Sequence, residues 1–153
     1  MKKLTCAALA CALLLAVCAG CGKAEPEPSF QPEQTVQALL DSGAFSETLE
    51  ELDPMLLFPL TGEAEDYEGS LLYYSTGATS ETAAVIPVRD ADQVAAVEDV
   101  LRAWVEGQIE AERDYRPAEV EKLEHAILES RGFTVLLVVA ADWDKAAQAI
   151  PAE

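Results

Sequence analysis

The run Phe133-Thr134-Val135-Leu136-Leu137-Val138-Val139-Ala140 narrows the folds open to this chain more than any other feature. Read as a strand, it puts Phe133, Val135, Leu137 and Val139 on one face and Leu136 and Val138 on the other. An antiparallel strand with one wet face alternates apolar and polar residues, whereas this one is apolar on both faces. It predicts a central strand covered twice, with a partner seated on one face as the alternative. Cover from within the chain is the favoured expectation. Arg131-Gly132 supplies the turn to Ala126–Glu129, which makes the last hairpin.

A second pair of strands precedes it. Ser70 to Thr76 is rich in Leu and Tyr, Thr82 to Val88 carries Ala, Val and Ile, and Gly77 to Glu81 is a loop of hairpin length. Pro87 has no N–H to donate to a ladder, so it marks a strand end or an edge. Between the pairs, Asp90 to about Tyr115 has the strongest helical period. Val94, Val97, Leu101, Val105 and Ile109 recur at steps of three and four, and Val100 and Trp104 widen the stripe. Asp90 is the expected cap, with Gln93 placed for a capping box. Pro117 ends that helix and starts another over Ala118–Glu124. Pro32–Ser42 and Asp142–Ile150 read as short helices, with Gly43 at the exit of the first. Residues 45–69 show no clear period. Within them Pro54–Leu60 is an apolar knot and Gly62–Gly69 an acidic turn. The pattern predicts an α+β fold: an antiparallel sheet of about four strands in two hairpins, packed by one long helix, with an N-terminal helix and a short helix.

The chain opens on a different kind of segment. Lys2 and Lys3 precede an uncharged apolar run from Leu4 to Val17, which leads to Ala19-Gly20-Cys21. A positive start, a short apolar core and a small-residue exit predict a secretory signal peptide over residues 1–20. The run is shorter than the roughly 20 residues that span a bilayer. Its end resembles the bacterial lipobox, so Cys21 is the expected lipidation site. Cys18 stands where Leu is usual and is the alternative acceptor, disfavoured because Val17 before it is not a small residue. Two acyl chains on Cys21 anchor stably where one is marginal. Residues 21–31 then read as an acidic, proline-rich tether: Glu25-Pro26-Glu27-Pro28 favours an extended chain of about 3 Å per residue. Residues 32–153 are left as a single domain. The expected location is the extracytoplasmic face of the cell membrane, with the membrane itself as partner through the lipid. All four cysteines lie at or before Cys21, so the domain has no disulfide and must be held by its core.

Charge excludes one class of partner. Of 10 basic residues Lys2 and Lys3 belong to the leader, so eight stand against 28 acidic ones beyond it. Nucleic acid needs a basic face to neutralise phosphates, and none is available. Repulsion from anionic lipid leaves holding to the acyl chains.

At Tyr73-Tyr74-Ser75-Thr76-Gly77-Ala78-Thr79-Ser80-Glu81 the chain resembles an uncharacterised family of bacterial lipoproteins, the domain of unknown function numbered 4358. The resemblance resumes at Tyr115-Arg116-Pro117, at Glu121-Lys122-Leu123-Glu124-His125-Ala126-Ile127 and at Gly132-Phe133-Thr134-Val135-Leu136-Leu137-Val138, covering roughly 36–139. It implies an exported lipoprotein with an α+β fold. It implies no activity and carries over no catalytic residue.

Catalytic and metal constellations are sparse. His125 is the lone histidine and no cysteine follows Cys21, so a zinc site is not expected. Ser75, Thr76, Thr79 and Ser80 offer hydroxyls near Gly77 without an evident base, and turn chemistry accounts for them. The Glu63–Glu68 loop offers oxygen ligands for calcium but lacks EF-hand spacing, which leaves a solvated loop. Asp142 and Asp144 flank Trp143, a pattern that suits a sugar site, yet Trp143, Trp104, Tyr73 and Tyr74 read better as packing. No catalytic, cofactor or metal residue is assigned. The expected function is a non-catalytic binding or interaction module whose partner is an envelope protein or a small ligand. A cell-envelope hydrolase using acidic residues and a self-associating structural protein are the alternatives.

Overall fold

β5 (Thr134–Val139) sits inside the sheet with all six residues buried. The computed structural model describes residues 29–77 and 79–152. The leader, Cys21 and most of the tether lie outside the described residues, as does Ala78. Before β5 come α1 (Pro32–Asp41), β1 (Glu50–Leu52), α2 (Pro54–Leu57), a 3-10 turn (Ala64–Tyr67), β2 (Leu71–Tyr74), β3 (Thr82–Pro87), α3 (Ala91–Glu112), α4 (Pro117–Glu124) and β4 (Ile127–Arg131); α5 (Trp143–Ala149) follows it. The strands form one antiparallel sheet in the order β1-β2-β3-β5-β4.

The α+β expectation holds, with five strands where about four were read. The fifth is β1, drawn from the stretch without a period. Its three residues carry no alternation, and they join the sheet through pairing with Tyr74, Tyr73 and Leu72 of β2.

Both faces of β5 are covered by the chain itself. Val135, Leu137 and Val139 pack with Leu72, Ala84 and Ile86 beneath Val97, Leu101 and Val105 of α3, Leu123 of α4 and Phe58. Leu136 and Val138 pack with Ala83 and Val85 against Val36 and Leu39 of α1 and Ala146 of α5. Trp104 of α3 meets Phe58 edge-on, with ring centroids 5.3 Å apart. Full burial of each Val, Leu or Ile contributes roughly 1.5–3 kcal/mol. The apolar second face is therefore covered from within the chain, as favoured, and is not a docking surface for a partner.

Two expectations need correction. Phe133 is 50% exposed rather than part of the inward row. The hairpin loop is the two residues Gly132-Phe133, and Gly132 takes φ +53, the glycine-favouring first position of a tight turn. Ser29 to Gln31, read as the end of the tether, already belongs to the packed domain. Phe30 is 3% exposed, its N–H donates to Thr134 Oγ1 at 2.9 Å, and the Arg131 guanidinium lies 4.4 Å from its ring centre.

Local signals acted as read. Asp90 Oδ1 accepts the Gln93 N–H at 3.1 Å, capping α3. The reciprocal bond of the box is shifted by one residue, since Gln93 Oε1 accepts from the Arg89 N–H. Pro87 closes β3 beyond the point where β2 begins at Leu71, so its missing N–H breaks no ladder bond.

Candidate functional site

Hydrogen bonds at Ser75, Thr79, Glu81 and Thr82 tie down the two ends of the loop between β2 and β3. The Ser75 N–H donates to the Glu81 carbonyl at 3.0 Å, which closes the loop. Ser75 Oγ accepts the Thr79 N–H at 3.3 Å and donates to Glu47 Oε2 at 3.0 Å. Thr79 Oγ1 accepts the Glu81 N–H, and Thr82 Oγ1 donates to the Ser80 carbonyl. Ser75 and Thr79 do the turn chemistry expected of the loop hydroxyls, whereas the buried Ser80 Oγ meets no hydrogen-bond partner among the described residues. The sequence reading left Ser75 without an acidic neighbour; the fold brings Glu47 to it from 28 positions away.

Beneath this loop lies a buried ionic cluster that the sequence reading missed. The Glu81 side chain is 0% exposed. It accepts from the Ser46 N–H at 2.8 Å, from Ser46 Oγ, and from Lys122 Nζ at 2.9 Å. Lys122, on α4, also meets Glu119 Oε1 at 3.0 Å, and Glu119 Oε2 accepts the Ser80 N–H at 2.8 Å. Burial works against the Lys122 charge, but the two carboxylates outweigh it and hold the ammonium above its ordinary pKa. One lysine thus clamps three segments: the Ser46 loop, the Ser75–Glu81 loop and α4. Two signals pointed to it in retrospect. Glu119 and Lys122 are spaced i,i+3 on one helix face. Glu81 is a lone carboxylate immediately before an apolar strand.

A second pair borders the same corner. Arg116 grips Glu112 in a bidentate fork, with Nε to Oε2 at 2.7 Å and Nη2 on Oε1. Its hydrogen bond lowers the Glu112 pKa against the effect of burial, and its charge lowers it further. Gly77, Ala111, Glu112, Tyr115 and Arg116 line an open depression of about 420 Å³, and Tyr115 is 88% exposed at its rim.

The other candidates are placed elsewhere. The His125 ring stacks on Trp143 at 3.9 Å and 11°, with Nδ1 2.8 Å from the Glu121 carbonyl oxygen. Asp142 caps α5 through the Lys145 N–H at 3.0 Å and pairs with Lys145 Nζ, whose hydrogen bonds lower its pKa. In the acidic loop, Asp66 accepts the Glu63 N–H and pairs with Arg89 at 3.0 Å. Among the described residues no group of three or more His, Cys, Asp or Glu is placed to hold a metal ion, and no helix is long and apolar enough to cross a membrane. Cys21 lies outside the described residues.

A family model described as a domain of unknown function, DUF4358, matches residues 60–140. The chain belongs to that family. The matched DUF4358 span runs from before β2 to the end of β5 and contains Glu81, Glu112, Arg116, Glu119 and Lys122. Ser46 and Glu47 lie outside it, as does the part of the resemblance from 36 to 59. Neither a curated protein nor a solved structure matches the chain.

Proposed function

We propose that this DUF4358 protein is a lipid-anchored, extracytoplasmic lipoprotein whose domain is a non-catalytic binding module. The anchoring half rests on the leader and on Cys21, and the binding half on one observation. Each buried carboxylate at the Ser75–Glu81 corner is engaged by a cation or by N–H donors: Glu81 by Lys122 and Ser46, Glu119 by Lys122 and Ser80, Glu112 by Arg116. A hydrolase using acidic residues needs a carboxyl poised in a cleft to give or take a proton. Here the carboxylates build a rigid shelf, and the exposed Tyr115 and the open depression beside it are the surface that shelf presents. A pre-organised surface of this kind suits recognition, because little is left to order when a partner arrives.

The test has two arms. In a bacterial host the full chain should sediment with membranes, and Cys21→Ser should release it. Retention of the variant would overturn the anchor. In the second arm, detergent-purified protein is melted with wall fragments, sugars, peptides and divalent ions. A ligand at a hundred times its dissociation constant stabilises by about 2.7 kcal/mol. A shift lost in Tyr115→Ala supports the module. Turnover of a wall fragment that disappears in Glu81→Gln or Glu119→Gln would overturn the non-catalytic reading.

A further inference from the structure

The strand order leaves two edges, β1 and β4, and they differ in what they offer. The two-residue loop Gly132-Phe133 makes Arg131 and Thr134 a hydrogen-bonded pair. Glu129 with Leu136 and Ile127 with Val138 are then hydrogen-bonded in turn, so Leu128 and Ser130 aim their N–H and C=O groups away from β5. Among the described residues no backbone or side-chain partner meets those groups, and Ser130 is exposed. At the opposite edge β1 has three residues, and Glu51 is the one whose backbone points outward.

We propose that β4 is a self-association edge, through which two copies of this chain pair antiparallel about Ser130 and join their sheets of five strands each. Charge selects both the partner and the register. Glu129 and Arg131 of one strand already pair at 2.8 Å, and Arg131 also donates to the Pro151 carbonyl. Centred on Ser130, each Glu129 stands in addition opposite the second copy's Arg131, so four charges alternate across the seam, an arrangement of the kind that stabilises neighbouring strands. The same register sets the half-exposed Phe133 of each copy beside Ile127 of the other. Centred on Glu129 instead, the two Glu129 side chains would face each other. Self-pairing of β1 would oppose Glu51 to Glu51, so that edge is guarded in the way natural sheets guard edges, by charge and shortness. A five-residue seam lies below the roughly 1,000 Å² of a stable interface, so the dimer is weak when free. Confinement in the membrane plane raises the effective concentration; that clause alone rests on the lipid anchor.

The test is disulfide trapping of the full chain in host membranes. Residues directly opposite in a hydrogen-bonded pair have Cα atoms about 5.5 Å apart, inside the span a disulfide bridges. Ser130→Cys should give a covalent dimer at least ~10-fold above Glu51→Cys and above the parent chain under mild oxidant. Adding Glu129→Arg should cut trapping by ~10-fold, as two attractions become repulsions, and adding Arg131→Glu to that variant should restore it. In detergent, Ser130→Pro removes only an outward N–H, so it should weaken association while leaving the melting temperature within a few degrees. Trapping at Ser130 no greater than at Glu51 would overturn the proposal. So would a trapped species of a different mass, which would assign the edge to another protein. Dimer trapped from a chain that fractionation finds outside membranes would leave the edge standing and overturn the anchor alone.

Discussion

The interior of the sheet and the corner around Glu81 are both buried, and opposite physics holds them. Between α3 and α1 the packed groups are Ala, Val, Leu and Ile, which gain by leaving water in almost any arrangement. At the corner two carboxylates and one ammonium are withdrawn from water, and each gains only if its partner is present and aligned. The interior should therefore tolerate loss of a part in proportion to the volume removed, whereas the corner should fail as a unit. Lys122→Met is the sharpest way to separate the two. It leaves Glu81 and Glu119 facing each other without a cation, and should cost about 3–5 kcal/mol in denaturant unfolding. Replacing Glu81 and Glu119 with Leu and Met in the same chain should recover most of that, because buried ion clusters often add nothing over apolar packing of equal volume. If the triple variant stays as unstable as Lys122→Met, the cluster is itself a net source of stability and the corner resembles the interior in that respect.

Leu137→Ala probes the other side. It deletes a side chain with 0% exposure between β3 and α3 and should cost about 2–5 kcal/mol, with Leu136→Ala on the opposite face close behind. A loss below 1 kcal/mol at either position would mean that its face is less well packed than the burial indicates.

The two regions also differ in how far the sequence revealed them. β5 and α3 were legible because their evidence is local: a run apolar on both faces, and a stripe at steps of three and four. β1 was not, since Glu50-Glu51-Leu52 becomes a strand only when Tyr74-Tyr73-Leu72 lies beside it. The corner was hidden for the same reason at longer range. Glu81 finds Ser46 35 positions earlier and Lys122 41 positions later, and no window along the chain contains all three. Phe30 was misread because its role depends on Thr134 and Arg131, more than a hundred residues away from it. Local composition around it, Pro28-Ser29-Phe30-Gln31-Pro32, looked like tether.

A smaller effect tests whether the caps matter once packing is in place. Asp90 holds the Gln93 N–H at the start of α3, and Asp90→Ala should cost about 1 kcal/mol. Because that site is exposed and distant from the corner, its cost should add to that of Lys122→Met within a few tenths of a kcal/mol in the double variant. A clear departure from additivity would show that α3 transmits strain to the corner through α4.

The smallest expected signal is in pH, and it has a different sign at the two charged sites. Glu112 is held below its usual pKa by Arg116, so its contribution to stability is present above about pH 4.5 and is lost as pH falls through the lowered folded value. Lys122 is held above its usual pKa by Glu81 and Glu119 despite burial. Its contribution is complete below about pH 10.4 and is lost only as pH rises through the folded value. Melting temperatures of Glu112→Gln and the parent chain should therefore converge in acid, whereas Lys122→Met and the parent should converge in alkali. A gap for Lys122→Met that instead closed as pH rose from about 7 to about 8 would mean that the ammonium loses its proton near the physiological range. The corner would then be a titrating site, and the case for a group there that exchanges protons would reopen.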